Sequence, residues 1–195
     1  MERPKDFLGG TVHDAALRTA DVLAVLMPWP GNSLAPGSPE ERSRLIEVLR
    51  DYGESDAAGL SPADLTELRR AAARLRPVFA AADATAAADQ INALLAERAH
   101  PPRLTAHGGA SAWHLHVDSC DDAPWGEWFL TSSCLALAVL MAERQAPPAA
   151  FCASPSCGRP FVNIGRGPAR RYCSPACGTR ERVAAHRAAG GAVKG

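Results

Sequence analysis

The sequence predicts a mainly α fold: a helical N-terminal domain with one β-hairpin, followed by a small C-terminal module organised by four cysteines. Three observations carry this. Apolar residues recur at helical spacing in five segments of residues 1–146. An alternating stretch interrupted by Gly108 and Gly109 reads as a hairpin. Two close cysteine pairs, C-x4-C and C-x3-C, stand fifteen residues apart near the C-terminus.

The first helix is expected over Phe7–Met27, where Leu8, Val12, Ala15, Ala16, Thr19, Val22, Leu23 and Leu26 make one wide apolar face. The Pro- and Gly-rich stretch from Pro28 to Pro39 ends it and reads as a loop. A second helix follows over Pro39–Tyr52, with Leu45, Ile46, Val48 and Leu49 inward, then a linker over Gly53–Gly59. A third starts at Leu60. Ser61 can cap it, Pro62 needs no backbone donor at the first position, and Asp64 suits the positive end of the helix dipole. Leu65, Leu68, Ala72 and Leu75 carry it to about Arg76. Its Arg69, Arg70, Arg74 and Arg76 read as a solvated face beside Asp64 and Glu67, with a secondary DNA contact as the alternative. The alanine-rich Ala80–Ala99 is a fourth helix that packs through Ile91, Leu94 and Leu95, and Pro101-Pro102 stops it. Arg103–His107 and Ala112–Asp118 form the hairpin. His114 and His116 share a strand face by the two-residue period. No third ligand is evident in the sequence, so they read as ordinary strand-surface histidines. The fifth helix, Pro124–Gln145, is apolar on nearly every side and is expected to be central. Cys134 should pack within it, and Cys120 sits in the acidic loop before it. Pro147-Pro148 separates the body, residues 1–146, from the module, residues 147–195.

In that module Cys152 and Cys157 flank a turn-rich knuckle, with Pro155 and Gly158 around the second cysteine. Arg159–Ile164 reads as a strand, Gly165–Pro168 as a turn, and Arg170–Cys173 as the returning strand. Cys173 and Cys177 fall at the first turn of a last helix, with Ser174 near its cap and Pro175 where no donor is needed. Four thiolates so spaced suit one tetrahedral Zn²⁺. Knuckle, hairpin and helix make a treble-clef-like four-cysteine zinc finger. Few large apolar residues are available to it, the situation in which small modules fold around a metal. Protein sulfur would fill all four positions, so the ion is expected to be structural. Packing or disulfide pairing of the four cysteines is the alternative.

The net charge of zero hides an asymmetry. Phe151–Gly195 holds eight Lys/Arg against one acidic residue, a formal +7, and residues 1–150 carry the opposite −7. A basic module on an acidic body points to an anionic partner, or to the two docking on each other. The N-terminus lacks the apolar stretch of a signal peptide. The most apolar run, Cys134–Ala142, falls short of the roughly 20 residues a membrane span needs. A cytoplasmic protein is therefore expected, where cysteine clusters favour metal over disulfides. No phosphate-binding loop, dinucleotide fingerprint or nucleophile elbow occurs, and no enzyme is expected.

The run Phe161 … Arg170-Arg171-Tyr172-Cys173-Ser174 … Cys177-Gly178-Thr179-Arg180 resembles the CGNR zinc finger family. The resemblance extends more loosely to Asp89–Ala96 and to Pro102-Arg103-Leu104. It implies a C-terminal finger after a mostly helical ABATE domain, a role as a stress-induced bacterial transcription regulator, and a finger that contacts DNA. The four cysteines and Arg166, Arg170, Arg171 and Arg180 match the family pattern. Thr179 stands where the family name has asparagine, Asn163 and Gly165 where aspartate and serine are usual, and Gly167 where another asparagine is.

The expected ligands are thus Cys152, Cys157, Cys173 and Cys177, holding one structural Zn²⁺. The expected DNA contacts are Arg159, Arg166, Arg170, Arg180, Arg182 and Arg187, with Arg171 structural. Arg180 and Arg187, seven apart, share a helix face, and Arg182 pairs with His186. Guanidinium groups suit both phosphate and the guanine edge. Two other classes fit the same residues: a module that docks on transcription machinery, and a redox sensor whose thiolates release zinc when oxidised. Homodimerisation through the body is a further expectation. Cys173→Ser is expected to unfold the finger and spare the body.

Overall fold

The computed structural model describes residues 9–109, 111–165 and 167–191. Among them are α1 (Gly9–Leu26), α2 (Pro39–Asp51), α3 (Pro62–Phe79), α4 (Ala84–Arg98), β1 (Arg103–Thr105), β2 (His114–His116), α5 (Trp125–Arg144), β3 (Ala149–Phe151), β4 (Pro160–Val162) and α6 (Pro175–Gly191). The expected first-helix residues Phe7 and Leu8 lie outside the described residues, as does Arg166.

Local chemistry sets most boundaries. The Ser38 hydroxyl accepts from the Glu41 amide to open α2, and the Asp83 carboxylate accepts from the Ala86 amide to open α4. At α3, Ser61 and Asp64 form a reciprocal capping box with Pro62 in the first turn. Three expectations need correction. The fourth helix starts at Ala84 rather than Ala80, because Asp83 caps it. The third does not stop at Arg76. It runs through Pro77 to Phe79, since burial of Val78 (0% exposed) and Phe79 (2%) outweighs the hydrogen bond that proline removes. The linker before it contains a 3-10 turn at Ser55–Gly59.

Helix α5 lies at the centre, with α1, α3 and α4 packed around it. It closes on α3 at Gly126, where an added Cβ would stand 2.9 Å from Glu67 Cβ. Phe129, Leu130, Cys134, Leu137 and Leu140 are buried along it. Burial pushes the Cys134 thiol up to about 12. Taken whole, α5 is long and apolar enough to cross a membrane, which the shorter run Cys134–Ala142 did not suggest. Half of that window is buried inside the molecule, so the helix is accounted for as the core of the body.

The charged groups that reach this core find partners, although Nε of Arg18 and of Arg69 is buried without one. Arg18 bonds Glu54 (2.6 Å) and Ser132 (2.8 Å) and stacks on Trp128. The Glu41 carboxylate, 1% exposed, bonds Arg69 and the Gly37 amide. Arg74 pairs with Glu97, and Arg76 lies over the Phe151 ring.

The first hairpin forms as expected, with Arg103 opposite His116 and Thr105 opposite His114. The second does not. Strand β4 pairs with β3, Ala149 opposite Val162 and Phe151 opposite Pro160, while Arg170–Cys173 forms no strand. The reason is burial. Ala149 (1% exposed) and Val162 (2%) enter the core of the helical body, and β3 and β4 pack on α3 and α1. A strand at 170–173 would have no such face to bury. The segment after β4 is instead held by buried Asn163, whose amide donates to Pro148 O (2.8 Å) and whose Oδ1 accepts from the Arg170 amide (3.0 Å).

Candidate metal centre

The C-terminal cysteines are brought together by two turns. Strand β3 delivers Cys152, and its amide donates to Arg159 O (2.9 Å). The chain then tightens so that the amides of Cys157 and Gly158 both donate to Ser154 O, with Gly158 at φ +70°. That left-handed conformation favours glycine. The space does too, since a Cβ would lie 2.8 Å from Pro30 Cδ in the loop after α1. On the other side, Pro175 opens α6 and the Ser174 hydroxyl accepts from the Cys177 amide (3.3 Å). Glu181 joins the two turns by accepting from the buried Ser154 hydroxyl at 2.6 Å.

The four Sγ atoms all lie within 4.8 Å of one another, with Cys157–Cys173 at 3.7 Å and Cys173–Cys177 at 3.8 Å. A tetrahedron with Zn–S bonds of about 2.3 Å has edges of about 3.8 Å, so the donor set fits zinc. All four cysteines are free thiols, and the Cys173 amide points at Cys152 Sγ (3.5 Å). Burial and the neighbouring sulfurs push the Cys173 thiol up to about 12, whereas the Ser174 hydroxyl holds Cys177 lower. A dication at the centre is what would ionise all four together. Phe161 and Tyr172 close the site on its protein side.

The arginines divide. Arg159 reaches the body, pairing with Asp21 of α1 at 2.8 Å. Arg170 stays inside the module, bonded to Val162 O (2.7 Å) and lying over the Phe161 ring. Arg171 lies over Tyr172. Arg180 bonds the Ser156 hydroxyl of the knuckle (3.1 Å), and Arg182 the Thr179 hydroxyl (2.9 Å). From Arg182 to Ala188 every residue of α6 is exposed.

Residues 150–189 match the model of the CGNR zinc finger, and residues 32–152 match that of the ABATE family, described as "Putative stress-induced transcription regulator". The chain belongs to the ABATE family. A search of curated proteins found no match. In this ABATE protein Cys152, Cys157, Cys173 and Cys177 are the donors for one structural zinc ion, in the CGNR finger of residues 150–189. Bound there, the ion would cross-link the two turns and offer no reactive position, because four sulfurs would fill its shell.

His114 and His116 read from the sequence as strand-surface histidines without a third ligand, and the structure corrects this by bringing one to them. His107, read only as the end of a strand, joins His114 and His116, with one nitrogen of each within 4.8 Å of the others. The signal was in the register. The two-residue period puts His107 on the face of Arg103 and Thr105, whose cross-strand partners are His116 and His114.

Proposed function

We propose that this protein is a cytoplasmic transcription regulator that binds DNA through helix α6 of its zinc finger, and that it is not an enzyme. The observation that carries the reading is the bare helix. It is anchored by the zinc site at Cys177, and seven consecutive residues from Arg182 to Ala188 are exposed. Exposed Arg180, Val183 and Arg187 follow one another at helical spacing, Val183 being 44% exposed. Two guanidinium groups flanking an apolar side chain suit phosphates and a base-edge methyl of the major groove. Arg182 extends the basic surface sideways. Arg159 and Arg170 support the reading indirectly, by fixing the finger to the body and its strand to the zinc site. The helical body would take the signal or a second copy of the chain.

The test is anisotropy of the zinc-loaded full chain on a labelled random-sequence duplex over a range of salt. Binding should weaken with a log–log slope of roughly −0.9 per contacted phosphate. Arg180→Ala and Arg187→Ala should each weaken binding and flatten the slope by about one contact, with zinc content unchanged. Binding by both variants that matched the parent at every salt concentration would remove α6 from the interface. Docking on transcription machinery would then be the surviving reading.

A further inference from the structure

We propose that His107, His114 and His116 form a second metal site, in the ABATE body, that takes a divalent late first-row transition ion such as Zn²⁺. Nothing in the family matches assigns these residues, and the proposal does not depend on DNA binding.

The argument starts from the hydrogen bonds. His114 Nδ1 lies 2.7 Å from the Ala112 carbonyl oxygen, so it must carry the proton and donate it. His116 Nδ1 lies 2.9 Å and 3.0 Å from the two oxygens of Asp118, so it too is the donor. With both protons placed there, neutral rings turn bare Nε2 lone pairs toward each other across 2.9 Å. His107 Nε2 stands 3.2 Å from the same His114 nitrogen, while its Nδ1 faces Asp121 at 3.6 Å. Three imidazoles thus direct one nitrogen each to a common point and hold the other against an oxygen. Lone pairs at such distances repel, and a cation between them attracts all three. Zn–N bonds of about 2.0–2.1 Å in a tetrahedron give nitrogen separations of about 3.4 Å, close to those found.

The surroundings are those of a built site. Histidine ligands donate their second N–H to a carboxylate or carbonyl, which fixes tautomer and ring orientation. Asp118, 2% exposed, does this for His116 and is itself bonded by Arg103 at 2.5 Å. Arg103 also bonds Asp121, and Asp121 accepts from the Thr105 hydroxyl at 2.7 Å. His107 reaches the cluster through a left-handed turn, φ 46°, and its amide donates to Thr105 Oγ1. Positive φ is uncommon for a non-glycine residue. Imidazole donors suit zinc, copper, nickel and cobalt rather than magnesium or calcium. Three protein ligands leave a position for water or a small ligand, unlike the closed cysteine site.

The experiment is a Co²⁺ titration of the full, metal-stripped chain, read by absorption and by metal content after desalting. Two ions per chain are expected. One gives the sulfur-to-cobalt charge-transfer bands of the cysteine site, and the other only weaker visible bands. His107→Ala with His114→Ala should reduce two ions to one and keep the charge-transfer bands, which also report that the finger has folded. Cys173→Ser should lose those bands and keep the weak ones. His100→Ala, outside the cluster, should still take two. One ion on the parent chain, or two on the double histidine variant, would overturn the proposal; three histidines sharing a proton would give the first result. A second reading needs no variant. Diethylpyrocarbonate labelling of the parent, mapped by peptide mass spectrometry, should show all three histidines protected once the second equivalent of Zn²⁺ is added. Equal labelling with and without zinc would count against the site.

Discussion

Glu41 shows how single residues decide stability here. Its carboxylate is 1% exposed and held by Arg69 and the Gly37 amide. Its loss would leave the Arg69 guanidinium, 28% exposed, and the Gly37 amide without their acceptor, at a cost of about 1–3 kcal/mol. Glu41→Ala should therefore lower urea-unfolding stability by roughly that much. Arg44→Ala, which loses only the exposed pair with Glu47, should stay within about 0.5 kcal/mol of the parent. An equal loss in the two variants would show that Glu41 is not under load. Arg69, Arg74 and Arg76 were legible as a basic helix face, but their partners were not. Glu41, Glu97 and Phe151 lie on other elements, and the composition of one helix does not name them. The zinc ligands were legible because each pair closes within one turn. His107 was not, because its neighbours come from across a strand pair.

At the scale of elements, α3 and α5 meet at Gly126, where a side chain would press on Glu67 Cβ at 2.9 Å and its carbonyl carbon at 3.2 Å. Gly126→Ala gains helix propensity, yet overpacking of a tight crossing costs about 1–3 kcal/mol. The variant should melt lower than its parent by circular dichroism. A raised midpoint would mean that the helices separate freely. Elements bounded by local signals were readable: Ser61-Pro62 opens α3, and Gly108-Gly109 turns the first hairpin. Elements chosen by distant partners were not. Strand β4 follows β3 because Val162 is buried on the helical body, a preference that the period of Arg159–Ile164 cannot contain. Likewise, the buried ring of Phe79 draws α3 past a proline that by itself argues for a stop.

For the whole molecule, the helical core does not end where the finger begins. Ala149 and Val162 belong to it, Phe151 and Ile164 pack against it, and Arg159 ties the knuckle to Asp21. This revises the expectation that Cys173→Ser would spare the body. Zinc removal by a chelator should lower the melting midpoint of the helical signal, by roughly 2–4 °C for each kcal/mol lost in a chain of this size. Four newly reactive thiols beyond the exposed Cys120, with an unmoved helical melt, would show the two parts to be independent. Because β3 and β4 floor the interior, a newly synthesised chain would complete its own inside only once the segment around Cys152–Cys177 has folded, which zinc would favour. Chains made when zinc is scarce would keep an open apolar seam for proteases, so metal nutrition would set how many copies survive, before any question of what those copies bind.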